Sequence, residues 1–174
     1  MRQARLPDSA SFLAGLLVHF GVFSSATLDP RTGSLRLVLL TRSLSPSAYT
    51  AFRRKLTDAL AVLHELDRRP SPHVRIRREG SGRVSRIEIV RSLEDLTYEE
   101  LGVIAQMARD LLPLEAAEEG PGTEEEREAQ EERLRAALEQ VRELRGSRRY
   151  VGLREGTEVL IYAATELKGR VRGG

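Results

Sequence analysis

The sequence predicts an α+β fold: a mainly antiparallel sheet of ferredoxin-like or β-grasp-like order, covered by helices, with an appended long helix and a C-terminal hairpin. Three features of the sequence predict it. Apolar and polar residues alternate around glycine-containing turns in three separate stretches, the pattern of β-hairpins. Between them lie segments whose apolar residues recur at helical spacing, three of them opened by Ser directly before Pro or by Thr three residues before Glu. The resulting order (helix, hairpin, helix, hairpin, helix, helix, hairpin) lacks the strict strand–helix alternation of a parallel sheet.

Asp8 or Ser9 caps a first helix over 9–20, with Phe12, Leu13, Leu16, Leu17 and Phe20 on one face and Gly21 ending it. A hairpin follows from Ala26 to Leu40, turning at Pro30 and Gly33, with Leu35, Leu37 and Leu39 lining one side of its second strand. Ser45-Pro46 is a helix start, because proline in the first turn loses no intrahelical N–H bond. That helix is expected to reach Arg69, with Tyr49, Phe52, Leu56, Leu60, Leu63 and Leu66 as its apolar stripe and Pro70 and Pro72 stopping it.

In the second hairpin Val74 and Ile76 alternate with Arg75 and Arg77, Glu79-Gly-Ser-Gly82 turns the chain, and Ile87 and Ile89 alternate with Arg86 and Glu88. Thr97 and Glu100 form a capping box for a helix that turns Leu101, Ile104, Met107, Ala108 and Leu111 inward and ends at Pro113. Residues 1–113 are thus expected to form the core domain and 114–122 a linker. Thr123 and Glu126 repeat the capping box ahead of a charged amphipathic helix over 123–146. Its stripe of Leu134, Leu138, Val141 and Leu144 reads as a narrow seam for self-association rather than a core face. A hairpin over 147–164 turns at Arg154-Glu-Gly-Thr157, and the basic, Gly-rich 165–174 is expected to be disordered.

Leu96-Thr-Tyr-Glu-Glu-Leu101 before a helix, taken with Tyr150-Val-Gly-Leu-Arg-Glu-Gly-Thr-Glu-Val-Leu-Ile at the end, resembles a family of small uncharacterised proteins from Gram-positive Firmicute bacteria. The resemblance implies a bacterial source and no particular activity. Val171-Arg-Gly-Gly174 resembles the diglycine tail of ubiquitin-like modifiers, but some 80 residues separate it from the fourth strand, where a modifier carries its tail directly. A flexible Gly-Arg end is the better reading.

Composition narrows the function classes. The 174 residues contain no Cys and three His, which excludes disulfides, thiolate catalysis and thiolate zinc sites. No phosphate loop, HExxH or GxSxG motif is present, and Gly80-Ser-Gly82 sits between strands without a third glycine. His64 has Glu65 and Asp67 nearby, but close helical neighbours do not face a common ligand. Neither a cofactor nor a metal is expected, and nothing argues for an enzyme. No apolar run reaches the ~20 residues of a membrane span, so a cytoplasmic protein with no membrane partner is expected.

The net charge of +2 conceals segregation: 70–91 carries six Arg against two Glu, while 115–139 carries ten Glu against three Arg. Such asymmetry bears on partners rather than on fold. The leading expectation is a non-catalytic regulatory or adaptor module that binds another protein and self-associates as a homo-oligomer. The alternative is an RNA- or ribosome-associated protein that contacts phosphates through Arg75, Arg77, Arg83 and Arg86, with Arg78 near the turn. No aromatic lies between Phe52 and Tyr98, so the hairpin offers phosphate donors without a stacking platform for bases.

Overall fold

The computed structural model describes residues 8–80, 82–117, 122–144, 146 and 148–164. Its elements are, in chain order, α1 (Asp8–His19), β1 (Ser25–Asp29), β2 (Ser34–Arg42), α2 (Pro46–Leu66), β3 (Arg75–Glu79), β4 (Val84–Ser92), α3 (Tyr98–Leu111), α4 (Glu124–Arg142), β5 (Arg149–Glu155) and β6 (Glu158–Ala164). The three longest helices begin where a hydroxyl satisfies an otherwise unpaired first-turn N–H. Ser45 Oγ accepts from Ala48 N–H, Thr97 Oγ1 from Glu100 N–H and Thr123 Oγ1 from Glu126 N–H. Only the last is a complete capping box, with the Glu126 carboxylate accepting from Thr123 N–H.

The six strands form one sheet in the order β3-β4-β2-β1-β5-β6, and every adjacent pair is antiparallel. Strand β4 lies between β2 and β3, which α2 connects, so β2-α2-β3-β4 is the split βαβ arrangement of a ferredoxin-like order. The place beside β2 goes to its own hairpin partner β1. The C-terminal hairpin extends the same sheet beyond it, β5 pairing with β1 from Ser25↔Leu153 to Leu28↔Tyr150.

All four helices contribute to a single core on one side of the sheet. Because side chains alternate along a strand, Leu35, Leu37 and Leu39 of β2, Ile87 and Ile89 of β4 and Ala26 and Leu28 of β1 turn to that side and are buried. Phe52, Leu56 and Leu60 of α2 meet them as the helical spacing predicts. The stripe then departs from expectation: Leu66 is 76% exposed, and the inward position near the end of α2 belongs to His64, at 1%. The helix ends earlier than Arg69, where Arg68 adopts a left-handed φ of 54° ahead of Pro70. In α3, Leu111 is similarly exposed, and Ala105 and Leu112 are buried in its place.

Helix α1 lies against β5 at Gly152, where a Cβ would come within 2.7 Å of Leu17 Cδ1 and 3.1 Å of Ile161 Cδ1. Any side chain larger than hydrogen there would force the Leu17 and Ile161 side chains to shift. Helix α4 packs on α1, and Arg142 fastens its C-terminal end by donating from Nε to the Leu93 carbonyl at 2.9 Å and from Nη2 to the Leu96 carbonyl. The segment after α3 runs beside the free part of β2, with Arg42 N–H donating to the Pro113 carbonyl and Glu115 N–H to that of Leu40. The expected linker therefore begins as an ordered strip along the sheet, while its residues 118–121 lie outside the described residues, as does the 165–174 tail.

Candidate functional site

With the helices gathered on one side, no described helix covers the other face of the sheet. The strand registers place Arg75, Arg77 and Glu79 of β3 on this open face, followed by Val84, Arg86, Glu88 and Val90 of β4 and Arg36, Val38, Leu40 and Arg42 of β2. Thr27 of β1, Val151 and Leu153 of β5 and Leu160 and Tyr162 of β6 continue it. Its exposed large apolar side chains are Leu40 (36%), Val84 (43%), Leu153 (37%) and Tyr162 (51%). Apolar side chains are thus interleaved with arginines on one face of the sheet.

The arginines of the second hairpin are not equivalent. Arg75, Arg77 and Arg86 share the open face as their alternation predicts, and Arg83 is exposed in the turn. Arg78 is on the opposite side, its guanidinium 5.9 Å from the Tyr49 ring centre, so it braces β3 against α2. Arg86 is tied to carboxylates of its own sheet: its Nη1 donates to Glu79 Oε2 at 3.2 Å and to Glu88 Oε2 at 3.1 Å. Glu88 is itself buried at 6% and also faces Arg36 Nε at 3.0 Å. Two arginines around one desolvated carboxylate satisfy an otherwise costly buried charge. The donors left for an external anion are therefore Arg75, Arg77 and Arg83.

The stripe on α4 lies elsewhere than the sequence suggests. Leu134, Leu138 and Val141 are each 3% exposed within the core cluster, and Leu144 is half-buried against it. The stripe is narrow because α4 touches the core along a single line, beside α1 and α3, while its remaining faces carry charge. It closes the helical layer of its own chain, and pairing two chains through it would require exposing that core.

A buried ionic cluster lies beneath α2 and α3. Glu100 Oε2 accepts from Arg91 Nε at 2.8 Å and Oε1 from Arg91 Nη2 at 2.9 Å, both side chains being fully buried. Burial acts to lower the Arg91 pKa, but the hydrogen bonds and charge of Glu100 outweigh it and raise the value, keeping the guanidinium charged. His64 Nε2 contacts Glu100 Oε1, and its Nδ1 donates to the Pro70 carbonyl at 2.9 Å. Both ring nitrogens thus face oxygen atoms of the same chain. Arg91 Nη1 also donates to the His73 carbonyl at 3.0 Å, and Arg69 Nη1 to that of Asp95 at 2.7 Å. Arg69 Nη2 is buried without a hydrogen bond, 3.7 Å from Asp67 Oδ2 and 3.9 Å from Glu100 Oε1, while the donors of Arg91 are turned onto backbone or a carboxylate of the same chain. The cluster welds the α2–β3 connection to α3.

A second polar group joins α1, α3 and α4. His19 Nδ1 faces Gln130 Oε1 at 3.4 Å and Nε2 faces Tyr98 Oη at 2.6 Å. Burial, then the charge of Glu131, pushes the Tyr98 phenol up from its ordinary value. The Arg135 guanidinium lies 4.5 Å from the Tyr98 ring centre and donates to Glu99 Oε1 at 2.5 Å. Burial acts to raise the Glu99 carboxyl, but the bond from Arg135 prevails and holds it below the usual carboxylate range.

The remaining concavities are surface grooves. One of about 410 Å³ lies between the Pro30–Gly33 turn, Ser92–Glu94 and the end of α4, but its cation, Arg142, is engaged with backbone carbonyls. Another, of about 380 Å³, runs between α1 and α4 past Ala14, Gly15, Val18 and Ala137. Among the described residues, no group of three or more His, Asp or Glu side chains is placed to hold a metal ion. No described helix is long and apolar enough to cross a membrane. The chain matches no family model, no curated protein and no solved structure with which it was compared.

Neither Arg91 nor Glu100 is among the site residues expected from the sequence. Arg91 had a signal: it continues the inward series Ile87, Ile89, Arg91. Glu100 had none, because its position in a Thr-x-x-Glu motif accounts for it equally well as a capping residue.

Proposed function

We propose that the protein is a non-catalytic regulatory or adaptor module that binds another protein on its open sheet face and self-associates. The observation that supports this is the bare face itself, where Leu40, Val84, Leu153 and Tyr162 are exposed among arginines while the helices are confined to the other side. Exposed large apolar side chains on a sheet face that no described helix covers, bordered by charge, suit a protein partner. The basic rim of Arg42, Arg75 and Arg77 selects a partner with an apolar centre and acidic margins. The likeness to a Firmicute family adds no activity to this proposal.

The test is capture from nuclease-treated bacterial lysate on immobilised wild-type protein and on a Leu40→Glu, Val84→Glu double variant. A protein retained by the wild type and lost from the correctly folded variant is the expected result. Equal retention by both overturns the role of the face.

A second reading has its own support. Arg75, Arg77 and Arg83 are exposed and make no ion pair among the described residues, an arrangement suited to phosphates of RNA read by backbone and shape.

A further inference from the structure

The two edges of the sheet are built differently. On one, β3 carries Arg75, Arg77, Arg78 and Glu79 among its five residues, the charged kind of edge that resists pairing with another strand. On the other, β6 carries no charge from Val159 to Ala164, and its residues Val, Leu, Ile and Tyr favour strands. Among the described residues no strand pairs with its outer side. The backbone there is aligned for one. Arg154 donates its N–H to the Ser24 carbonyl on the β1 side. By alternation along β5, its residues Leu153 and Val151 exchange hydrogen bonds with Leu160 and Tyr162. The N–H and C=O groups of Val159, Ile161 and Ala163 therefore point outward.

The geometry points to the β6 edge as a homodimer interface, in which β6 of a second copy pairs antiparallel across a twofold axis at Ile161 and joins two sheets into one of twelve strands. This names the partner and surface for the self-association part of the proposal above. Twofold pairing at Ile161 matches Ile161 with itself and Val159 with Ala163 of the second copy, so all three outward residues exchange bonds. It also sets Leu160 beside Tyr162 of the second copy, twice, in the close non-hydrogen-bonded positions where aliphatic–aromatic cross-strand pairs are favourable. The half-exposed Tyr162 ring is covered as a result.

Charge makes the second copy the fitting occupant. The turn end of the β5–β6 hairpin is acidic on the open face, with Glu155 and Glu158, and the opposite end is basic, with Arg149. Each hairpin end carries the charge that the twofold requires of its neighbour. In the proposed register Glu158 faces Ala164 of the second copy, and Arg149 of that copy lies one strand further, two strand spacings or about 10 Å from Glu158 between backbones, on the same face and spanned by the two long side chains. Within one chain Arg149 and Glu158 sit at opposite ends of strands seven residues long, too far apart to interact.

That separation makes the test specific. Sedimentation velocity across a concentration series should show the wild type reaching twice the 19.5 kDa chain mass. Ala163→Pro removes an outward N–H that the monomer does not use, at an exposed edge position where proline is tolerated, and should weaken the dimer about tenfold or more. Arg149→Glu and Glu158→Arg should each weaken it by roughly a similar factor, since each creates two like-charge contacts. The double variant carrying both should restore wild-type association, an outcome that only contact between chains produces. A wild type that stays monomeric at its highest soluble concentration overturns the proposal, as does a dimer indifferent to Ala163→Pro and to both charge reversals. Neither result bears on the part of the open face around Leu40 and Val84, which lies on strands remote from β6.

Discussion

Arg91 and Glu100 meet through two parallel hydrogen bonds, Nε to Oε2 at 2.8 Å and Nη2 to Oε1 at 2.9 Å, with neither side chain exposed to solvent. Their backbones belong to β4 and α3, so the pair fixes how the helix sits on the sheet. Its geometry is that of a planar fork gripping a carboxylate, which lysine does not reproduce.

Removing one member of this pair leaves the other charged and buried. Glu100→Gln is therefore expected to cost roughly 3–5 kcal/mol, and Arg91→Met a similar amount. Arg91→Met combined with Glu100→Met should be less damaging than the sum of the two single changes. Urea unfolding of the three variants measures this, and a Glu100→Gln loss under about 1 kcal/mol would show that the cluster is not closed to water.

Phe52 is 1% exposed at the centre of the face that α2 presents to β2 and β4. Truncation to Ala should cost about 3–5 kcal/mol, from the forfeited transfer energy together with the cavity left behind. Leu66→Ala, at a position the helical spacing also marks as apolar, should cost under about 0.5 kcal/mol. Equal destabilisation at the two positions would show that α2 presents a different face.

Stability at high pH should depend on Tyr98. Its phenol pKa is raised in the folded chain, so the folded state holds this proton where the unfolded chain releases it. The contribution is complete below the unfolded value of about 10 and declines as pH rises from there through the folded value. Unfolding free energies measured from pH 8 to 11 should fall more steeply for the wild type than for Tyr98→Phe. Parallel slopes would remove Tyr98 from the alkaline transition.

Any nucleic-acid affinity should act through phosphates at Arg75, Arg77 and Arg83. Fluorescence anisotropy with RNA and DNA over a salt series should show binding that is nearly indifferent to sequence and falls steeply with salt. Changing the three residues to Gln should reduce the slope by about one unit for each phosphate no longer neutralised, with stability almost unchanged. Arg86→Gln, by contrast, should lower stability, because it removes a partner of the buried Glu88. Absence of binding at low salt eliminates the RNA reading.

The fold class and the element order were legible because periodicity and caps are local signals: Ser45-Pro46, Thr97 and Thr123 mark three helix starts directly. Pairing between distant strands was not, since nothing near Ser25–Asp29 marks Arg149–Glu155 as its neighbour. The arginine alternation in β3 and β4 correctly placed Arg75, Arg77 and Arg86 on one face. It gave no sign that Glu79 and Glu88 occupy Arg86, which depends on cross-strand register. The stripe of α4 was readable as apolar but not as buried, because a helix touching a core along one line and a helix waiting for a partner show the same spacing.

The position of β1, between β2 and β5, has a consequence for how the chain is made. About 120 residues separate Asp29 from Arg149, and at about 5–20 residues per second a ribosome needs roughly 6–24 s to bridge them. Throughout that interval the strand destined for the middle of the sheet is its border, with one row of peptide groups open to any passing chain. The last third of the protein is thus a late-arriving cover for the first, and a truncated product ending before β5 would be released with that border exposed. Synthesis arrested ahead of Arg149 should therefore favour aggregation even though α2 and α3 have already found their places.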